Sequence, residues 1–109
     1  MHGQTKATAT TQVDNERVRV TEWRFPPGAH TGWHRHAFDY VVVPSMDGVL
    51  KIVDGTGEHR AELKQGQSYY RRAGVEHDVV NAGRAEFAFI EIEIKAHAIA
   101  EGEADAGRS

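Results

Sequence analysis

The chain has no cysteine among its 109 residues. A disulfide framework, a thiolate metal site and a cysteine nucleophile are all excluded, which leaves histidine and carboxylate as the strong ligands. No apolar run approaches the roughly 20 residues that cross a bilayer, so no membrane partner is expected. The opening MHGQTKATATTQ lacks the apolar centre of a secretory signal, and the cytoplasm is the expected compartment. The formal net charge is -3 with lysine and arginine scattered, so no basic stripe argues for nucleic acid. No stretch carries a sustained helical period, and no repeat or linker divides the chain. What is present is ordinary for one small globular domain, 39% apolar and 27% charged, except for the seven histidines. That number makes a metal worth looking for.

Alternation with period two, the strand signal, runs through the middle of the chain. It is read over Arg17 to Phe25 (RVRVTEWRF), His34 to Val43 (HRHAFDYVVV), Gly48 to Asp54, Glu58 to Leu63, Ser68 to Arg71, Asp78 to Asn81 and Phe87 to Lys95 (FAFIEIEIK). Gly55-Thr56-Gly57 is a hairpin turn in this reading, and Ala82-Gly83 a second turn, with Asn81 leading into it. About eight short strands at roughly ten-residue spacing predict an all-β sandwich or barrel. The folded domain is predicted over 16–96, with flexible tails at 1–15 and 97–109, both small and polar.

His34 and His36 stand two apart on a predicted strand, so both project from one face about 7 Å apart at the backbone. Their imidazoles can converge on one ion at about 2.1 Å each. Alone, this is half a site.

The spacings around the pair carry a resemblance. Gly28, His34, His36 and Gly48 fall within GAHTGWHRHAFDYVVVPSMDG, and Gly66, Gly74, His77 and Asn81 within GQSYYRRAGVEHDVVN. On these residues the chain resembles the cupin superfamily, whose motifs read G-x5-H-x-H-x3–4-E-x6-G and G-x5-P-x-G-x2-H-x3-N. The resemblance spans Arg17 to Lys95. It implies a single cupin barrel, a double-stranded β-helix of jelly-roll type. It also implies a three-histidine site, His34, His36 and His77, for a divalent transition metal (Fe, Zn, Ni, Cu, Co or Mn). Two positions depart from the family. The motif glutamate falls at Tyr40 or Val41, with Asp39 one or two residues early, and the motif proline is Arg72. Strict alternation turns Tyr40 toward the histidines and Asp39 away, unless a bulge reverses them. The run TEWRFPPGAHTGWHRHAFDYVVVP is similar to the small single-domain cupins tied to beta-alanine degradation, which implies a setting of short amino and oxo acids and no mechanism.

Tyr40 is the candidate catalytic residue, a proton or hydrogen-bond donor if it faces inward, and otherwise a barrel-filling aromatic. Arg72 and Arg24 are the candidates for gripping a substrate carboxylate. Glu91 and Glu93 alternate with Ile90, Ile92 and Ile94. The glutamates either look into the barrel and orient a ligand histidine, or stand in water with the isoleucines in the core. The function expected is a metal-dependent cupin acting on a small, polar, carboxylated ligand. Because cupins with three histidines include Fe(II) dioxygenases, the resemblance implies oxidative cleavage of a small oxo acid as the leading reaction. A non-catalytic binder or sensor is the alternative. A barrel this small leaves sheet edges and apolar faces open, and a homodimer is expected to cover them.

Overall fold

The computed structural model describes residues 5–95, and the tail expected over 97–109 lies outside them. Nine strands follow one another in this stretch: β1 (Thr8–Asp14), β2 (Val18–Phe25), β3 (His34–Arg35), β4 (Asp39–Pro44), β5 (Gly48–Asp54), β6 (Gly57–Leu63), β7 (Tyr69–Arg71), β8 (Glu76–Asn81) and β9 (Phe87–Ile94). They form two sheets, ordered β1-β2-β9-β4-β7 and β3-β8-β5-β6, with every neighbouring pair antiparallel. No helix occurs among the described residues, and none is therefore long and apolar enough to cross a membrane. The fold is all-β, a jelly-roll-like barrel, as the alternation predicts.

Alternation sets which side chains enter the core. On β4, Tyr40, Val42 and Pro44 are buried while Asp39, Val41 and Val43 are only half-buried. Phe25, Phe87, Phe89, Val42 and Leu50 fill one end of the space between the sheets, with the Phe25 ring 5.5 Å from Phe89 and 6.4 Å from Phe87. Gly48 is required by this packing. A Cβ there would stand 2.2 Å from Phe87 Cδ1, so only glycine lets the ring lie against the β5 backbone. Asn81 ties the same end together. Its Nδ2 donates to the carbonyls of Phe25 at 3.1 Å and Ala85 at 2.9 Å, and its Oδ1 accepts from Gly83 N–H at 2.9 Å. The turn role expected of Asn81 is thus met by a buried, saturated amide.

Two expectations need correction. Residues 1–15 are not a flexible tail throughout, because Thr8–Asp14 pairs along β2 with a register shift between Thr11 and Val13. Exposure of all seven β1 side chains removes the apolar alternation that would have marked the strand, and the open edge of β2 supplies its hydrogen bonds. The single strand read over His34 to Val43 is two. His34–Arg35 joins the four-stranded sheet and Asp39–Pro44 the five-stranded one, with the chain passing between sheets over residues 36–38. That crossing places the histidine pair at the seam.

Candidate metal centre

Antiparallel pairing of β3 with β8 sets His34 directly opposite His77. His36 lies just past the end of β3, where its N–H donates to the Val75 carbonyl at 2.9 Å and its carbonyl accepts from Gly74 N–H at 2.8 Å. The three rings meet edge to face, with centroids 4.6 to 5.1 Å apart. His36 Nε2 lies 3.0 Å from His34 Nε2 and 3.2 Å from His77 Nε2, and ligand atoms of all three fall within 4.8 Å of one another. Two nitrogens bound to one ion at about 2.1 Å stand ~3.0 Å apart at a right angle and ~3.4 Å apart at a tetrahedral one. The donor set fits a transition ion.

Protonation favours the same fit. His34 Nδ1 lies 2.8 Å from the Gly32 carbonyl, which only accepts, so the ring donates there and turns Nε2 toward the Nε2 of His36. Burial, and next the neighbouring His34, push His36 down to about 3 and His77 down to about 4, so both rings are neutral at physiological pH. The loop carrying His34 is itself clamped. Asp78 accepts from Gly32 N–H at 3.0 Å, faces His30 Nδ1 at 3.0 Å and receives Thr31 Oγ1 at 3.4 Å. His30 is one arm of that clamp. His59 sits at the β5–β6 turn against Asp54 and Thr56, away from the centre.

Glu91 resolves the alternative left open for β9. It is buried, accepts from Trp23 Nε1 at 3.3 Å, and lies 3.9 Å from His36 Nδ1, while Ile90, Ile92 and Ile94 point outward. Burial, then the charge of Glu93, raises its carboxyl to about 7, partly offset by the Trp23 hydrogen bond. Tyr40 faces inward as strict alternation requires, its ring stacked on His36 with centroids 3.9 Å apart and planes at 21°. Burial raises its phenol above the ordinary range. No bulge turns Asp39 inward. Its carboxylate accepts from Tyr70 Oη at 2.6 Å and Ala73 N–H at 2.8 Å on the outside.

The two candidate carboxylate grips are not brought to the centre. Arg24 lies on the outer face of β2, paired with Glu22 at 3.0 Å and Glu86 at 3.1 Å. Arg72, one residue past the end of β7, does not line the cavity. The arginine that does is Arg71, which sequence reasoning passed over. Its signal was present in the shared parity with Tyr69, whose ring also faces the cavity. This narrow inner cavity, open at its mouth, has the three histidines, Thr31, Tyr40, Tyr69, Glu91 and Arg71 among its lining and aliphatic and aromatic side chains elsewhere.

Two facing antiparallel sheets with imidazoles converging from the β3 segment and β8 define a barrel protein with a potential ion site at its mouth. The chain belongs to the cupin family, whose cupin domain matches residues 21–93. It is 56% identical over 95 residues to the beta-alanine degradation protein BauB of Pseudomonas aeruginosa, covering 87% of this chain and all of that protein. A cupin domain crystal structure from Bordetella pertussis is likewise 56% identical, with a TM-score of 0.83 over 85% of this chain and 97% of the other. A double-stranded β-helix protein of Klebsiella pneumoniae, 20% identical, shares the fold with a TM-score of 0.70 over 86% of this chain and 81% of its own.

Proposed function

We propose that the protein is a metal-dependent cupin acting on a small carboxylated molecule of the short amino and oxo acid class. The observation that carries this reading is the convergence of three imidazoles at the 3.0 and 3.2 Å spacing of ligands sharing one ion. His34, His36 and His77 would hold a divalent transition ion. When bound, such an ion supplies Lewis-acid polarisation or, if redox-active, dioxygen chemistry, and Fe(II)-type oxidative cleavage is the reaction we favour. The likeness to BauB supports the substrate class.

The chain's own groups have separate tasks in this reading. Glu91 sits behind His36 on its Nδ1 side at 3.9 Å, beyond direct hydrogen-bond reach, and favours the ring orientation with Nε2 forward by charge. Gly32 does the same for His34 through its carbonyl. Tyr40 keeps its proton at neutral pH, and its stacked ring holds His36 from the other side. Val42, Leu50 and Phe89 keep the floor of the cavity dry.

The partner in this reading is a second copy of the chain. The outer face of the five-stranded sheet carries Val18, Val20, Val41, Ile90 and Ile92, with Val13, Tyr70 and Ile94 exposed at 42%, 52% and 38%. A contiguous apolar sheet face of this kind is covered in a stable soluble protein.

Elemental analysis of protein purified without chelators tests the centre. About one transition ion per chain is expected in the parent, and His77→Ala should lose it while keeping the β-sheet circular dichroism of the parent. Equal metal content in the two folded proteins would remove the assignment.

A further inference from the structure

The inner cavity does not open straight to solvent on every side. Arg71 and His77 line both it and an outer cleft that runs to the β5–β6 turn, so the two spaces meet at these side chains. Arg71, an exposed residue at the end of β7, is the cationic side chain that lines the inner cavity, and it stands opposite Tyr40 in the sheet. Its guanidinium carbon lies 5.7 Å over the Tyr69 ring, a cation–π contact that restricts where the fork can point.

Among the described residues, no carboxylate lies within 4.0 Å of that guanidinium. Arg19 and Arg24, by contrast, are each held by two carboxylates. Two acids do share cavities with Arg71, and both are engaged elsewhere. Asp54, in the outer cleft, accepts from Thr56 N–H at 2.8 Å and Thr56 Oγ1 at 2.7 Å and faces His59 Nε2 at 3.1 Å. Glu91, in the inner cavity, accepts from Trp23 Nε1 at 3.3 Å. A planar five-donor fork left without an anion at the neck of a cavity is built for a planar anion that arrives from outside.

We infer that Arg71 is the carboxylate-binding residue of this protein, gripping the acid group of a compact monocarboxylate at the neck while the ligand's other end reaches the three histidines. What that other end meets rests on the metal reading above. The grip itself does not. The apolar floor made by Val42, Leu50, Val79 and Phe89 limits the ligand body to a few carbons without further charge.

The test is calorimetric titration of propionate and pyruvate, with uncharged propionamide as the shape control. It is run on chelator-treated protein and again on Zn(II)-loaded protein. The expected result is binding of the acids and none of the amide in both forms. Arg71→Met should weaken acid binding about tenfold or more, and Arg71→Lys, which keeps the charge but loses the fork, should fall between. Arg72→Met, one residue along and outside the cavity lining, should bind as the parent does. Equal acid affinity in Arg71→Met and parent, equal binding of acid and amide, or no binding of either acid to the parent would each overturn the inference. Failure of Zn(II) to bind with the acid–amide difference intact would sink the metal reading alone.

Discussion

Followed along its length, the β2–β9 ladder changes character halfway. On the inner face the first rungs, Phe25 opposite Phe87 and Trp23 opposite Phe89, are aromatic, and the later ones, Thr21 opposite Glu91 and Arg19 opposite Glu93, are polar. The outer face runs the other way. Arg24 pairs with both Glu22 and Glu86 behind the aromatic end, whereas Val20–Ile92 and Val18–Ile94 lie behind the polar end. The closed end of the barrel is thus an ordinary core with a wet exterior, and the mouth is a polar interior with an oily exterior. Burial of apolar surface stabilises the first end. At the second, burial works against two imidazoles and a carboxylate, lowering His36 and His77 and raising Glu91. Stability and site are segregated along one pair of strands.

The sharpest way to break this contrast is at the aromatic end. Phe87→Ala removes a fully buried ring that packs on Phe25, Phe89 and Gly48, and should cost about 3–5 kcal/mol in denaturant unfolding. A loss well under that figure would show that the closed end is not the main source of stability. The oily exterior of the mouth comes next. Ile92→Lys sets a charge in the middle of the outer face and should give a monomer by light scattering at micromolar concentrations where the parent is expected to dimerise, with a far smaller effect on the barrel. A monomeric parent would overturn the reading of that face.

The smallest effect is on pH dependence. His36 and His77 bind protons less readily folded than unfolded, so their share of stability is complete above the ordinary 6.5 and is lost as pH falls toward about 4 and about 3. Glu91 acts with the opposite sign. Its raised carboxyl lends stability below the ordinary 4.5 that is lost as pH rises to about 7. Glu91→Gln deletes the opposing member, so Tm of the chelated protein should rise more steeply between about pH 4.5 and 6.5 than in the parent. An unchanged slope would mean that Glu91 is ionised throughout.

Much of this could be read from the residues alone, and the misreadings share a cause. Alternation located most strands, and the glycine and histidine spacings picked out the three rings that the fold brings together. What alternation cannot say is which face is inside when both faces carry apolar residues. That is the situation on β9, where the outward isoleucines look like a core and the inward Glu91 looks like surface. The same limit hid Arg71, because the motif position drew attention to Arg72 while the parity with Tyr69 pointed one residue back. Strand β1 was missed because a strand exposed on both faces has no apolar rhythm. The break after Arg35 was missed because period two says nothing about a change of sheet.

The placement of β9 also bears on how the chain is made. The last strand in the described chain lies in the middle of its sheet, between β2 and β4, with Val18 across from Ile94. Until Phe87–Ile94 has left the ribosome, β2 and β4 have nothing between them, and Glu91 cannot reach His36. Closure is therefore a late, all-at-once event in synthesis. In the interval before it, the valines of β2 and β4 stand open to chaperones and to neighbouring nascent chains.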